Sequence, residues 1–128
     1  MKPNDFIKMC EDAIEKVCLQ GYPSVNNVSE CSYLSQVGCC VVGHMMPDDE
    51  TRYEADGIFS GTNVENVLEK GVWSIALDQT QVKILNKLQL AHDYEEQYGF
   101  DEELLPIDEA RFRVKCKNIL NMYEVGLS

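Results

Sequence analysis

Three stretches of apolar residues at three- and four-residue spacing limit what this chain can fold into. They run from 4 to 20, from about 80 to 98, and from about 106 or 108 to 125. Residues at this spacing share one side of an α-helix, so each stretch predicts an amphipathic helix with one side to bury. The residues on these sides are Phe6, Cys10, Ala13, Ile14, Val17 and Cys18; Val82, Leu85, Leu88, Ala91 and His92; and Phe112, Cys116, Ile119, Leu120 and Tyr123.

The ends of these helices carry recognisable signals. Asn4 or Asp5 can cap the first helix, and Gly21 can end it in a left-handed conformation. Asp78 or Thr80 can cap the second helix. Proline is favoured in a first helical turn, so the third helix is expected to begin near residue 106 or 108.

A shorter helical pattern lies between the first two long stretches. Residues 62 to 65 have the spacing of a capping box, and Val64, Val67 and Leu68 form a short stripe that ends at Gly71. This pattern predicts a short helix. The apolar stretch from 72 to 77 predicts either a short strand or an extended connection.

The segment between the first helix and the acidic run predicts a β-hairpin. Residues 29 to 35 carry Cys31, Tyr33 and Leu34 beside polar neighbours, residues 36 to 38 can turn the chain, and residues 39 to 46 form a continuous apolar run. The second strand can pass into a helical turn before Pro47. Residues 48 to 61 then predict a loop in which Tyr53, Ile58 and Phe59 serve as anchors.

These elements together predict one α+β domain that spans residues 1–128. It is mostly helical, with three main amphipathic helices packed on a small β-hairpin. A chain of 128 residues suits one domain with a hydrophobic core and is short for two.

The charge balance restricts the kind of partner. The chain has 22 acidic and 11 basic residues, which gives a net charge of −11. Such a surface repels nucleic acid and anionic membranes, so we expect neither as a direct partner. It favours a basic protein surface or a cation, although acidity can also serve solubility alone. The N-terminus has no signal-peptide pattern, and no apolar run approaches a membrane span, so a cytoplasmic location is expected.

Cysteine and histidine concentrate in one short segment. Cys31, Cys39, Cys40 and His44 fall within fourteen residues. A zinc site would fit the residue types, but no Cys-x-x-Cys pair is present, and adjacent cysteines in a strand point to opposite faces. Reduced, packed thiols are the favoured interpretation, because a cytosolic protein keeps its cysteines reduced. The pattern leaves open whether these four residues have a role beyond packing.

No motif gives specific support for catalysis. Cys40 with His44 or His92, and with Asp93, can be written as a nucleophile, a base and an orienting acid, but six cysteines and two histidines allow such a set by chance. Phosphate-binding glycine loops and a Gly-x-Ser-x-Gly elbow are missing from the sequence. We therefore expect no enzymatic activity, no cofactor and no bound metal.

The acidic run after Pro47 is the expected partner-binding site. It does not fit a calcium loop that starts at Asp48, because Arg52 takes the fifth position, where a carboxylate is required. The predicted contact residues are Asp48, Asp49, Glu50, Glu54 and Asp56.

A set of short motifs extends from the thiol-rich segment to the second long helix. They are Cys31-Ser-Tyr33; a Gly before Cys39; Val42-Gly43; Pro47-Asp48-Asp49; Tyr53; Asp56-Gly57; and Leu88-Gln89-x-Ala91-His92-Asp93. Together they resemble a family of small bacteriophage proteins that have a Cys-x-Tyr strand, a turn, a Gly-Cys segment leading to Pro-Asp, and a later Leu-Gln-x-x-His-Asp. The extra Cys40 and the residue His44 depart from that pattern.

The resemblance implies a viral origin more than a mechanism, because the family has no established activity. Small acidic phage proteins often occupy a host protein, and an acidic surface can imitate nucleic acid in a basic groove. The leading hypothesis is therefore an inhibitor that binds a defence or nucleic-acid-processing protein in the cytoplasm of the infected bacterium. One alternative is a protein that sequesters a small molecule or nucleotide signal in a pocket lined by Arg52, Arg111 or Arg113. A Cys/His metal-dependent enzyme is a third, and a homodimer is left open.

Overall fold

The computed structural model describes residues 1–22, 32–35, 38–58, 64–91 and 106–126. Within these ranges the regular elements are all α-helices. They are α1 (Pro3–Gln20), α2 (Val41–Met45), α3 (Asp49–Ile58), α4 (Val64–Glu69), α5 (Gln79–Gln89) and α6 (Glu109–Glu124).

Helix α1 confirms the first predicted helix. It begins at Pro3, whose missing N–H costs nothing in a first turn, and Lys2 precedes it without a side-chain cap. The expected cap at Asn4 or Asp5 is therefore wrong. Gly21 ends the helix at φ 85°, and its N–H bonds to the Val17 carbonyl at 3.1 Å, as predicted for a left-handed stop.

Helix α5 begins close to the predicted residue, whereas α6 begins at Glu109, so the prediction that the proline at 106 lies in its first turn is wrong. Asp78 caps α5 in a reciprocal capping box with Gln81, and Asp108 caps α6 by accepting from the Arg111 N–H. Helix α5 ends at Gln89 and residues 90 and 91 form a turn, so the predicted continuation of the helix is wrong at these two residues; residues 92 to 98 lie outside the described residues.

Helix α6 lies antiparallel to α1. The Ile107 N–H donates to the Gly21 carbonyl at 2.8 Å, next to the end of α1 and the start of α6. At the opposite ends of the two helices, the rings of Phe6 and Tyr123 lie 4.9 Å apart. Between them, Arg113 binds the Glu15 carboxylate through both terminal nitrogens, at 2.6 and 2.9 Å. The apolar sides of both helices therefore face one another along their length.

The core is the region in which α1, α2, α5 and α6 meet. Its fully buried side chains include Phe6, Cys10, Tyr33, Val41, Val42, Val64, Ile84, Leu85 and Leu88. The predicted helical stripes are therefore the sides that pack. Trp73 also lies in this core, at 5% exposure, on the non-helical connection between α4 and α5.

The predicted β-hairpin is wrong. Residues 41 to 45, placed in its second strand, form helix α2, and the Cys40 sulfur caps this helix by accepting from the Gly43 N–H at 3.3 Å. Among the described residues, only an isolated bridge between Ser35 and Gly38 has strand character. The described part of the chain is thus all-α, not α+β. The expected helical turn before Pro47 is confirmed, and residues 29 to 31 lie outside the described ranges.

The predicted loop after Pro47 is also wrong. Residues 49 to 58 form helix α3, which Asp48 caps by accepting from the Thr51 N–H at 2.8 Å. Tyr53 was expected to anchor a loop but is 75% exposed. The Ile58 side chain and Phe59 lie outside what the structure describes.

The predicted short helix with the Val64, Val67 and Leu68 stripe is confirmed as α4, and Gly71 follows it at φ 72°. Residues 72 to 77 are not a strand: the chain bends at 72 and 73, and residues 74 to 77 have no regular secondary structure. No helix in the described ranges is both long and apolar enough to cross a bilayer.

Candidate functional site

The acidic run is a helix with two distinct sides. On the outer side, Glu50, Tyr53, Glu54 and Gly57 are exposed and recur at three- and four-residue spacing. We call Glu50, Tyr53 and Glu54 the α3 outer face. It presents two carboxylates and one aromatic ring to solvent.

The five predicted contact residues do not share this side. Only Glu50 and Glu54 lie on the α3 outer face. Asp48 precedes the helix as its cap, and hydrogen bonds from the Thr51 backbone and hydroxyl, at 2.8 and 2.7 Å, lower the pKa of its carboxyl. Its carboxylate is exposed but is oriented by the helix that it caps.

Asp49 and Asp56 are engaged within the molecule. Asp49 accepts from the Arg52 guanidinium at 2.6 Å, although 74% of its side chain stays exposed. Asp56 points the other way and accepts from the Ser32 hydroxyl at 3.0 Å. It also accepts from the backbone N–H groups of Tyr33 at 2.8 Å and Leu34 at 3.0 Å. Asp56 therefore fastens α3 to the turn at 32–34 and is not free to bind a partner.

Arg52 fastens the same helix to α2. Its Nε donates to the Gly43 carbonyl at 2.6 Å, and its Nη2 donates to the Met46 carbonyl at 2.9 Å. These carbonyls lie at the end of α2, where a helix leaves its acceptors unpaired, so a cation there is favourable. Between Arg52 and Asp56, Ala55 is fully buried. We call Arg52, Ala55 and Asp56 the α3 inner face.

Tyr53 is an exposed aromatic residue on this face that the sequence analysis did not include among the candidate contact residues. It lies between Glu50 and Glu54 on the outer face, at 75% exposure. Aromatic side chains are enriched where proteins bind one another, because they bury much area at a low cost in conformational entropy. The three-residue spacing from Glu50 would have revealed it had the segment been treated as a helix.

The thiol-rich segment is organised around Gln20, the last residue of α1. The Gln20 Oε1 accepts from the Cys39 N–H at 2.9 Å and contacts the His44 Nε2 at 3.0 Å. Because Oε1 is an acceptor, His44 must carry its hydrogen on Nε2. Burial, assisted by the positive charges of Lys16 and Arg52, lowers the pKa of His44 to about 4. The ring is thus neutral at pH 7 and bonds to Gln20.

The described cysteines are free thiols in apolar surroundings. Cys10, Cys39, Cys40 and Cys116 are buried, and Cys18 is half-buried. Burial raises the pKa of both Cys10 and Cys116 to about 12, so neither is a thiolate at neutral pH. Cys31, His92 and Asp93 lie outside the described residues. Within the described ranges, no group of three His, Cys, Asp or Glu side chains is arranged to hold a metal ion.

A shallow groove of about 340 Å³ lies between α1 and α2. Its charged residues are Asp5, Lys8, Asp12 and Lys16, with the neutral His44 beside them. The two acids offset the two lysines, which gives little attraction for an anionic ligand. Arg52 and Arg113, expected to line such a site, are instead bonded to α2 and to Glu15. The nucleotide-sequestering alternative gains no support from these contacts.

Comparisons of the chain with protein-family models, with curated proteins and with solved structures each return no match. The resemblance to bacteriophage proteins accordingly stays a prediction from the motifs.

Proposed function

We propose that this protein is a small acidic bacteriophage-type interaction protein that binds and inhibits a basic host protein through the α3 outer face. The observation that carries the proposal is the exposure of Tyr53 between two carboxylates on a helix whose opposite side is fixed. A protruding aromatic ring with like charges around it is a suitable centre for a small interface.

Electrostatics would select the partner. A net charge of −11 steers the protein toward positive surfaces and accelerates encounter at low ionic strength. A groove that normally holds nucleic acid has such a surface. When Glu50 and Glu54 occupy it, they block the phosphate sites, and inhibition follows from occupancy without any chemistry.

Capture from a bacterial lysate, with a matched pair of variants, tests the proposal. The first variant carries Glu50→Gln and Glu54→Gln, and the second carries Glu65→Gln and Glu69→Gln. Both remove two exposed carboxylates spaced by four residues on one helix, so their net charges are identical. We expect a protein that wild type captures at low salt and releases at roughly 0.5 M salt to be lost only from the first variant.

The substitution Tyr53→Ala tests the contribution of the α3 outer face to binding without changing its charge. Truncation of a central aromatic contact typically costs at least about 2 kcal/mol, so the dissociation constant should rise about 30-fold. Titration of the captured host protein, with inhibition of its activity as a second readout, measures both effects. Equal capture by the two charge variants, or unchanged affinity after Tyr53→Ala, would refute the assignment of this face.

A further inference from the structure

Helix α3 is attached to the molecule differently from the other long helices. Among the described side chains of α3, Ala55 is the one that is apolar and fully buried, whereas α1 buries Phe6, Cys10, Ala13, Ile14 and Val17. A single methyl group contributes little apolar burial. Among the other described helices, α3 makes its main contact with the short helix α4.

The described residues of α3 are also attached through hydrogen bonds. Arg52 donates to two carbonyls at the end of α2, and Asp56 accepts three hydrogen bonds from residues 32 to 34. Because these two side chains are four residues apart, both lie on one side of α3. Both also become hydrated when the contact opens, so water offsets much of the loss.

From these contacts we propose that α3 is an arm, held by the Arg52 and Asp56 latches, that opens while α1, α5 and α6 stay folded. Opening breaks hydrogen bonds that water can replace, whereas separating α1 from α6 would expose Phe6, Cys10 and Phe112. Local openings of this kind occur where few apolar contacts hold a segment. The arm has ten residues, and an isolated helix of that length is marginal in water. Its own backbone hydrogen bonds are consequently lost when it opens.

This arm has a consequence for docking, and that consequence alone rests on the proposed function. The α3 outer face is ordered only while the latches are closed. Arg52 and Asp56 are then positioning residues for Glu50, Tyr53 and Glu54, although neither lies on the outer face.

Native-state hydrogen exchange of the free protein tests the arm without any partner. We expect amides 53 to 57 of α3 to exchange at least about 100-fold faster than the slowest amides of α5. Their exchange should depend only weakly on low concentrations of denaturant, because a local opening exposes little surface. Equal protection in α3 and α5, with the same denaturant dependence, would overturn the proposal.

A matched pair of substitutions on α3 tests the latch itself. Asp56→Asn and Glu54→Gln each remove one negative charge, but only the first places an amide N–H₂ group near the N–H donors of Tyr33 and Leu34. We expect Asp56→Asn to accelerate α3 exchange by about 10-fold and α5 exchange by less than about 2-fold, with Glu54→Gln near wild type. Equal acceleration of α3 and α5, or equal effects of the two substitutions, would contradict the latch.

Arg52→Lys probes the second latch if Asp56→Asn does not fold. Lysine keeps the positive charge but lacks the planar fork that reaches two carbonyls at once. It should accelerate α3 exchange selectively, and a uniform effect on all helices would overturn this part of the proposal. If wild type captures no host protein while its helix α3 opens as proposed, the result counts against the proposed function alone.

Discussion

The body formed by α1, α5 and α6 and the arm formed by α3 are both helical, yet different forces hold them in place. The body buries whole apolar sides, such as Phe6 against Tyr123 at 4.9 Å. Among the described side chains of the arm, Ala55 is buried, and the charged side chains of Arg52 and Asp56 make the hydrogen bonds that hold it. The difference shows that a segment can have regular structure without an apolar side of its own.

The body and the arm also differ in the side chains that they expose to solvent. The body commits its apolar sides to the core, and the rest of its surface is mostly polar and charged, with a few exposed apolar residues such as Leu19 and Val114. The arm uses its charges in two ways: inward charges make hydrogen bonds, and outward charges stay free. An acidic helix can thus be held in position and still present carboxylates to solvent.

The largest expected effect comes from breaking the body. Phe6→Ala removes a fully buried ring that contacts Tyr123, and it should lower the free energy of unfolding by about 3–5 kcal/mol. Leu19→Ala is the control on the same helix, because Leu19 is 83% exposed and its truncation should change stability by less than about 0.5 kcal/mol. Urea unfolding followed by circular dichroism measures both. Similar losses in the two variants would show that α1 does not pack as described.

Two glycine substitutions, one in α2 and one in α3, should change the free energy of unfolding by intermediate amounts. A Cβ at Gly43 in α2 would overlap the Tyr33 carbonyl oxygen, whereas a Cβ at Gly57 in α3 would meet nothing within 4 Å. Gly43→Ala should cost about 1–3 kcal/mol through forced backbone movement. Gly57→Ala should instead stabilise by roughly 0.5 kcal/mol, because alanine loses less backbone entropy in a helix. Opposite signs in thermal unfolding are the expected result, and equal signs would contradict the described packing.

The last effect is absent at neutral pH and concerns His44 under acidic conditions. The pKa of this histidine is about 4 in the folded protein, against 6.5 when unperturbed. Between these values the unfolded chain binds a proton that the folded protein does not, so stability falls as the pH drops from 6.5 toward 4. The slope can reach at most about 1.4 kcal/mol per pH unit.

His44→Gln is the control for this slope, because glutamine does not titrate. The difference between wild type and His44→Gln, measured by urea unfolding at several pH values, should flatten above pH 6.5. The lowered pKa values of Glu15 and Asp48 act in a lower window, since their stabilisation is lost only as the pH falls below about 4.5 and 3.8. A pH-independent difference would mean that His44 is protonated as easily in the folded state.

The sequence predicted the body and failed on the arm for a single physical reason. Apolar periodicity reports which side a helix buries, so α1, α5 and α6 were found with their packing sides. The α3 inner face pairs Arg52 and Asp56 with one alanine, and no apolar stripe marks it. Its local signals are a capping aspartate and an acidic first turn at 48 to 50, and such a run of charges is equally typical of a solvated loop.

The hairpin error has a different origin. A short continuous apolar run is compatible with a buried strand and with a buried helix, and periodicity cannot separate them. The deciding contacts are non-local. Gln20, at the end of α1, accepts a hydrogen bond from the Cys39 N–H. Arg52, in α3, donates to the Gly43 and Met46 carbonyls at the end of α2. No local pattern in residues 39 to 46 contains that information.

Trp73 gives the molecule a built-in optical reporter. It is the single tryptophan of the chain, and it is 5% exposed in the apolar core between α4 and α5. Its emission should be blue-shifted in the native protein and move to longer wavelength only when the core takes up water. Tyr53 sits in solvent on α3, where an opening changes its surroundings little. Tryptophan fluorescence therefore registers the loss of the apolar core that the body forms.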